Sequence, residues 1–431
     1  MYKCSLERMS DKIKTMSQYG DAGHGGITRY SLSAEANMAR AEFEKRMKAI
    51  GATIEYDDVA CMYATLPGSD PDAKRIVMGS HCDSVKNGGN YDGILGVMTG
   101  MEVLETIAAE NIPHKHPITA MIWTNEEGSL YPPAMMVSGI ICYDYLPDYL
   151  KPNFMYDNMM ASKPMDDSPY ANFGEALAAS PYTGPKENRI SPEKYCAMFE
   201  AHLEQGPILE DNGNEIGAVQ LVMGMFNYAV RMYGFSAHAG TFPMAKRHDA
   251  LHAMADFLCE LHKRYDALNA EIVAQGKPEF VFTTGEIKVH PCIHTVIPDE
   301  AYMSLDVRHP EQAVLDQCME ILKELAAEKW QQCDCEIKEQ WSRDPVPFDS
   351  RLIGFVEESM EEMGAKWQKI LSGAGHDAQF CAYMIPTTML FARTKDGLSH
   401  CEPEHVSDED CTAVATATLN AVLKCDASDE F

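Results

Sequence analysis

The feature that most constrains the fold is a strand–helix–strand pattern that runs from Arg75 to Trp123. Its first apolar run, 75–80, has the length of a buried strand, and a glycine-rich turn separates it from 94–109, where apolar residues recur at helical spacing. A second apolar run follows at 118–123. Strand, helix and strand within about fifty residues favour a βαβ unit with a parallel sheet.

Polar residues follow both predicted strands directly. The first strand runs into His81 and Asp83, and the second is followed by Glu126 and Glu127. In open α/β sheets, ligands bind in the crevice beyond the carboxyl ends of the strands. We therefore expect these side chains to lie in a binding site.

The rest of the chain predicts a second domain inserted into the first. A chain of 431 residues is too long for a single compact core and suggests two domains. We predict a catalytic domain in two segments, 1–221 and 339–431, and a smaller inserted α+β domain at 222–338. The other predicted helices are 33–50, 249–265, 310–329 and 352–363, and the other predicted strands are 228–233, 280–282, 301–306 and 387–391; 141–192 is predicted as loops with short helices.

The charge and the hydropathy pattern exclude several classes of partner. The formal charge of −29 repels nucleic-acid phosphates and anionic membranes. No apolar run approaches the roughly 20 residues needed to cross a bilayer, and the first residues carry no hydrophobic signal core. We expect a cytoplasmic protein that binds neither nucleic acid nor a membrane.

Several side chains around the strand ends could hold metal ions. A neutral imidazole such as His81 is a common ligand, and the carboxylate of Asp83 could orient it. Asp92, in a glycine-rich turn, is either a ligand or a helix cap. Of the adjacent carboxylates, one could bind a cation while the other acts as a general base, although such a pair is usually a solvated turn.

Two further histidines, His202 and His400, are each most often core or surface residues when taken alone. Together with the groups above they would supply ligands for a bridged pair of metal ions. Such a pair can share a hydroxide and polarise a carbonyl group.

A set of motifs in this order resembles the hydantoinase/carbamoylase branch of the dinuclear aminopeptidase-like hydrolases, which includes N-carbamoyl-L-amino acid hydrolases, β-ureidopropionases and allantoate amidohydrolases. The motifs span about residues 30–410 and are specific as a group. They are GSHCDSVKNGGNYDG, TNEEGSLYPPAMM, FEAHLEQGPIL, GFSAHAGTFPM with RHDA, IPDEAYMSLDVRHP, SGAGHDAQ and GLSHCEPE.

The resemblance implies a mixed, largely parallel sheet flanked by helices and a site for two divalent ions. Zinc is expected, with manganese, cobalt or nickel as alternatives. His81 and His202 would bind one ion, Glu127 and His400 the other, and Asp92 both. Glu126 would be the general base, and Asp83 would fix the tautomer of His81.

In that family the inserted domain forms a homodimer and supplies substrate contacts to the partner's site. The resemblance implies that His238 stabilises the oxyanion and that Arg308 binds a substrate carboxylate. Gln205 and His376 match further substrate-contact positions. Thr295 stands where the family usually has an asparagine, Leu130 where it has a basic residue and Cys401 where it has another asparagine, so these positions bear on substrate choice.

The expected reaction is hydrolysis of a carbamoyl group on an amino acid, or of a related linear amide, by metal-bound hydroxide with Glu126 as general base. One alternative is an aminoacylase or dipeptidase that acts on acylated amino acids. A different alternative is an inactive binding protein on the same fold, although such a protein need not retain Glu126.

Overall fold

The chain folds into two units in the computed structural model, which describes residues 1–23 and 25–431. One unit comprises Met1–Gln220 and Pro347–Phe431, and the other is Leu221–Val346. The inserted unit thus ends later than residue 338, where the sequence predicted its end. The reason is a strand, Asp334–Arg343, that stays paired with Gly224–Tyr233 past that position.

The helices and strands follow the chain in this order. The helices are α1 Leu6–Met16, α2 Ala34–Ala49, α3 Ile94–Glu110, α4 Met136–Ile141, α5 Tyr156–Met160, α6 Phe173–Ala179, α7 Ile208–Asp211, α8 Ala250–Ala274, α9 Gln312–Ala326, α10 Ser350–Met363, α11 Asp377–Cys381 and α12 Asp408–Ala427. The strands are β1 Thr53–Tyr56, β2 Met62–Leu66, β3 Arg75–His81, β4 Ile118–Trp123, β5 Tyr195–Leu203, β6 Ile216–Val222, β7 Gly224–Tyr233, β8 Val281–Thr283, β9 Ile287–His290, β10 Glu300–His309, β11 Asp334–Arg343, β12 Val346–Pro347, β13 Trp367–Ser372 and β14 Thr387–Ala392.

The larger sheet confirms the predicted fold class. Its order over the described residues is β1-β2-β4-β3-β5-β14-β6-β12, with β13 paired to β6. The central strands β4, β3, β5 and β14 are parallel, whereas β2 and β6 join them antiparallel. The predicted unit β3-α3-β4 is therefore present, and the carboxyl ends of four parallel strands meet at one edge.

Helix α3 lies against this sheet and begins at Ile94, two residues after Asp92. Its glycines allow close packing, since a Cβ on Gly96 would lie 2.4 Å from the carbonyl oxygen of Ala201 in β5. Helices α1 and α12 pack on α3, and neither was predicted. In the described part of the chain, no helix is both long and apolar enough to span a membrane.

The inserted unit has the predicted α+β composition. Its antiparallel sheet runs β11-β7-β10-β8, with β9 also paired to β10. Alternate residues of β10 are buried in a core shared with α8 and α9, while Asp306 and Arg308 lie on the other face. Helix α8 continues beyond the predicted end at Tyr265 because Leu268 and Ile272 prolong its buried stripe.

A buried ion pair connects α1 to α3. The Nζ atom of Lys12 lies 2.7 Å from Glu102 Oε2, and both side chains are fully buried. Arg8 binds the same carboxylate, and the main-chain N–H of Ser5 donates to it over 2.8 Å. Because a buried charge is costly without its partner, this pair makes the position of α3 depend on α1.

We expect Lys12→Met to lower the free energy of unfolding by about 3 kcal/mol, since one partner of a buried pair is lost. Guanidinium unfolding followed by circular dichroism measures the loss. The matched control is Lys45→Met, which removes a lysine that is 76% exposed and paired with Glu42, for less than about 1 kcal/mol. Equal losses in the two variants would contradict the structural importance of the pair.

Candidate metal centre

His81 is the last residue of β3 and is buried beneath the site. Its Nδ1–H donates to the main-chain carbonyl of Asp83 over 3.0 Å, which leaves Nε2 with its lone pair directed at the other polar groups. The sequence predicted that the carboxylate of Asp83 orients this ring. That carboxylate lies 3.9 Å from His81 Nδ1, and it accepts hydrogen bonds from the main-chain N–H groups of Glu126, at 3.4 Å, and Glu127, at 3.2 Å.

Gly93 allows His81 and Asp92 to approach each other. Its φ is 65°, and a Cβ at this position would lie 2.2–2.4 Å from three atoms of the His81 ring. Gly93 is also the N-cap of α3 and has no side-chain capping bond. The carboxylate of Asp92 is therefore not a helix cap, the alternative that the sequence left open.

Asp92 lies between the two remaining histidines. Its Oδ1 is 3.2 Å from His202 Nε2, and its Oδ2 is 2.8 Å from His400 Nε2. His202 resembles His81 in its orientation, because its Nδ1–H donates to the carbonyl of Leu203 over 3.0 Å. Residues from three distant parts of the chain thus meet at one carboxylate.

The imidazole and carboxylate groups form three overlapping sets of possible ligands. Within each set, one ligand atom per residue lies within 4.8 Å of the others. The sets are His81, Asp92 and His202; Asp92, Glu127 and His400; and His81, Glu126 and Glu127.

The electrostatics of these groups favour a bound cation. Burial, followed by repulsion from Glu127, raises the pKa of Glu126 well above its ordinary value, and burial with repulsion from Asp92 does the same for Glu127. Burial also opposes ionisation of Asp92, but hydrogen bonds with His202 and His400 outweigh it and hold the pKa of Asp92 well below its ordinary value.

The donor set also fits a metal ion by its chemistry. Glu127 Oε1 is buried and has no hydrogen-bond partner in the described residues. Among those residues, the salt-bridge partners of Asp83, Asp92, Glu126 and Glu127 are histidines alone. Carboxylates and neutral imidazoles without a lysine or arginine are the ligands that zinc and manganese accept.

Two predicted substrate contacts lie beside the same groups. The amide nitrogen of Gln205 donates to both carboxylate oxygens of Asp92, at 3.3 and 3.2 Å, and lies 3.3 Å from His400 Nε2. His376 packs edge-on against the ring of His202, with centroids 4.5 Å apart, and its Nε2 lies 2.9 Å from Ser372 Oγ. Both residues are therefore in contact with presumed ligands.

The remaining predicted contacts belong to the inserted unit. His238 and Thr295 are exposed and lie in two segments that pair with each other, since Val296 bridges to His238. These segments adjoin the Glu300 end of β10. Arg308 lies eight residues further along that strand, about 27 Å at 3.4 Å per residue, and its Nε donates to Asp306 over 2.7 Å.

Three buried carboxylates near the site were not singled out from the sequence. Glu200 accepts hydrogen bonds from Ser80 Oγ and the N–H of Ala378, and Asp377 accepts one from Ser138 Oγ over 2.5 Å. Glu404 accepts hydrogen bonds from the segments of both Asp92 and His400. Each of the three carboxylates lies in a quoted motif, but only the structure shows their partners.

Comparison with known proteins gives one family for most of the chain. Residues 77–424 match the family described as Peptidase family M20/M25/M40. The N-carbamoyl-L-amino-acid amidohydrolase of Rhizobium meliloti is 33% identical over 427 residues, which cover 98% of this chain and 97% of that protein. The allantoate amidohydrolase of Bacillus subtilis strain 168 is 31% identical over 411 residues, covering 93% and 92%.

Solved structures agree with the sequence comparison. An amidase of the hydantoinase/carbamoylase family from Burkholderia multivorans has a TM-score of 0.85 and 33% sequence identity, over 99% of both chains. These matches confirm the resemblance that the motifs indicated.

We expect Gly93→Ala to weaken metal binding strongly, because the new Cβ would displace the His81 ring. Titration of the metal-free protein with Zn²⁺ measures the affinity, which we expect to fall about 10-fold or more. Changes to groups that orient metal ligands typically lower affinity by about 10–100-fold. Gly364→Ala is the matched control: Gly364 has φ 66° and no atom within 4 Å of its added Cβ. Equal Zn²⁺ affinity in both variants would contradict the assignment of His81 as a ligand.

Proposed function

The chain belongs to Peptidase family M20/M25/M40, and from that premise we propose that it is a two-metal amidohydrolase that removes the carbamoyl group of an N-carbamoyl amino acid or a related ureido acid. The observation that carries the proposal is the convergence of His81, Asp92, Glu127, His202 and His400 on one site. The names of the similar proteins, which act on carbamoyl amino acids and allantoate, support the choice of a linear amide.

In this proposal His81 and His202 would hold one divalent ion, Glu127 and His400 would hold the other, and Asp92 would be a ligand in both sets. Zinc is the first candidate, and manganese, cobalt or nickel suit the same donors. When bound, such ions act as Lewis acids and make water more acidic. In His81 and His202, Nδ1–H donates to a main-chain carbonyl, which directs Nε2 toward the site. Nε2 of His202 there accepts a hydrogen bond from the main-chain N–H of Gly93 over 3.2 Å, a contact that a bound ion would replace.

Glu126 is the general base of the proposed reaction. Its Oε2 lies 3.6 Å from His81 Nε2, so the carboxylate faces the proposed ion site without joining the set around Asp92. It takes a proton from the attacking water and passes it to the leaving amine. Oxygen adds to the carbamoyl carbon, the bond to the amino-acid nitrogen breaks, and the carbamate that leaves decomposes to CO₂ and ammonia.

The inserted unit supplies the remaining contacts, and we propose that it does so in a homodimer. Arg308 binds the substrate carboxylate through its guanidinium group, and His238 donates to the developing oxyanion, with Thr295 beside it. Because about 27 Å of β10 separates Arg308 from the segments of His238 and Thr295, one inserted unit cannot bring both ends to one small substrate. Two copies related by a twofold axis can.

A substrate panel tests the proposed function. N-carbamoyl-L-amino acids, 3-ureidopropionate, allantoate and N-acetyl-L-amino acids are offered to the metal-loaded protein, and the release of ammonia and of free carboxylic acid is measured separately. The proposal predicts ammonia from the ureido compounds and little acetate from the acetyl compounds. Acetate release without ammonia would instead identify an aminoacylase.

We expect Glu126→Gln to lower kcat by about 10²–10⁴-fold, which is the usual contribution of a general base. The amide cannot take up the proton, yet it retains the size of the side chain, so metal content and folding are expected to stay as in the wild type. The measurement is kcat on the best substrate of the panel, with metal analysis. Glu328→Gln, at an exposed position of the inserted unit, is the control. Full turnover by the Glu126 variant would refute its role.

We expect inactive variants to complement each other if His238 acts across a dimer. Co-expressed His238→Ala and Glu126→Gln chains form mixed dimers in which the metal site of the first chain receives His238 from the second. With random association, half the dimers are mixed and half their sites are intact, so activity reaches about one quarter of wild type. Activity no higher than that of either variant alone would show that His238 acts within its own chain or not at all.

A further inference from the structure

Glu404 is a buried carboxylate that connects two segments of the candidate metal centre. It follows His400 by four residues, and its side chain is directed back at the start of α3. The residue is 3% exposed. It is not one of the possible metal ligands identified above.

Each oxygen of Glu404 binds a different segment. Oε1 accepts hydrogen bonds from the main-chain N–H groups of Tyr91, at 2.9 Å, and Asp92, at 3.0 Å. Oε2 accepts hydrogen bonds from Ser399 Oγ, at 2.7 Å, and from the main-chain N–H of His400, at 3.3 Å. One carboxylate thus holds the backbone of two presumed ligands that lie more than three hundred residues apart in sequence.

The surrounding backbone leaves room for this contact only because residue 89 is glycine. A Cβ on Gly89 would lie 2.0 Å from Glu404 Oε1 and 2.1 Å from Cδ. Gly89 therefore lets the turn before Asp92 pass directly over the carboxylate. This requirement is independent of the hydrogen bonds and indicates the same close contact.

We propose that Glu404 is a positioning residue for one of the two metal subsites: it sets the distance between Asp92 and His400 and thereby the affinity of the subsite formed by Asp92, Glu127 and His400. The inference rests on the proposed two-metal function. His400 needs such support more than the other histidines, because its side chain is 50% exposed, whereas those of His81 and His202 are buried.

The other subsite has its own supports. The rings of His81 and His202 are oriented by the carbonyls of Asp83 and Leu203 at the ends of β3 and β5, and neither contact involves Glu404. Loss of Glu404 should therefore affect the two subsites unequally. A general loss of stability would affect them equally.

The test is a titration of the metal-free Glu404→Gln variant with Co²⁺, in which binding is measured by calorimetry and by the visible absorption of the bound ion. The glutamine side chain has only one accepting oxygen, and its NH₂ group would face the N–H donors of one segment. The side chain could therefore no longer hold both segments. We expect one Co²⁺ to bind about 10–100-fold more weakly than in the wild type, as for other groups that orient ligands, and the other to bind with a smaller change. The absorption bands of the weakened site should shift.

Asp426→Asn is the matched control. Asp426 is a buried carboxylate that accepts hydrogen bonds from the main-chain N–H groups of Lys115 and His116, at 2.9 and 2.7 Å, and so also joins segments more than three hundred residues apart. Those segments lie at the amino end of β4, away from the metal centre. Its substitution should lower thermal stability and leave both Co²⁺ affinities unchanged.

The outcomes separate this inference from the proposed function. Wild-type protein that binds fewer than two Co²⁺ ions contradicts the two-metal proposal itself. Two ions in the wild type, with both affinities unchanged or equally weakened in Glu404→Gln, overturn the role of Glu404. Should that variant fail to fold, Ser399→Ala decides: it removes one of the four contacts, and an unchanged affinity at both sites would overturn the proposal.

Discussion

The repulsion among buried carboxylates is the constraint on which the site depends. Asp92, Glu126 and Glu127 lie close together and largely out of water, where unpaired negative charges are costly. Their salt-bridge partners within the described residues are imidazoles. Such an arrangement persists only if a cation or bound protons offset the charge, so the scaffold around it must resist the tendency of these groups to separate.

The parallel sheet supplies much of that resistance. Strands β3, β4, β5 and β14 end at the same edge, where His81 is paired with Trp123 and His202 with Phe391 in ladders of main-chain hydrogen bonds. Asp92 is held at the start of α3, which packs on the sheet. His400 alone among the proposed ligands lies in a turn with positive φ and a half-exposed side chain, which explains why the contact with Glu404 matters there.

Much of this could be predicted from the sequence because the strongest signals are local. The apolar runs of β3 and β4 end in polar residues, and the motifs place each proposed ligand. The contacts of Glu404 with Asp92 and of Asp377 with Ser138 join residues hundreds of positions apart, and no local pattern specifies them. Helix α12 was missed for a related reason: it is buried on most sides and has no clear amphipathic period.

The antiparallel sheet of the inserted unit separates the residues that are proposed to contact the substrate. Every second residue of β10 points away from the core, and these residues form a polar face with Arg308 near one end. His238 and Thr295 lie beyond the other end. Because a paired strand cannot shorten, the proposed contacts of both ends with one small substrate require two copies of the chain. Under this proposal dimer formation is part of building the site, since a lone chain lacks either the carboxylate contact or the oxyanion donor.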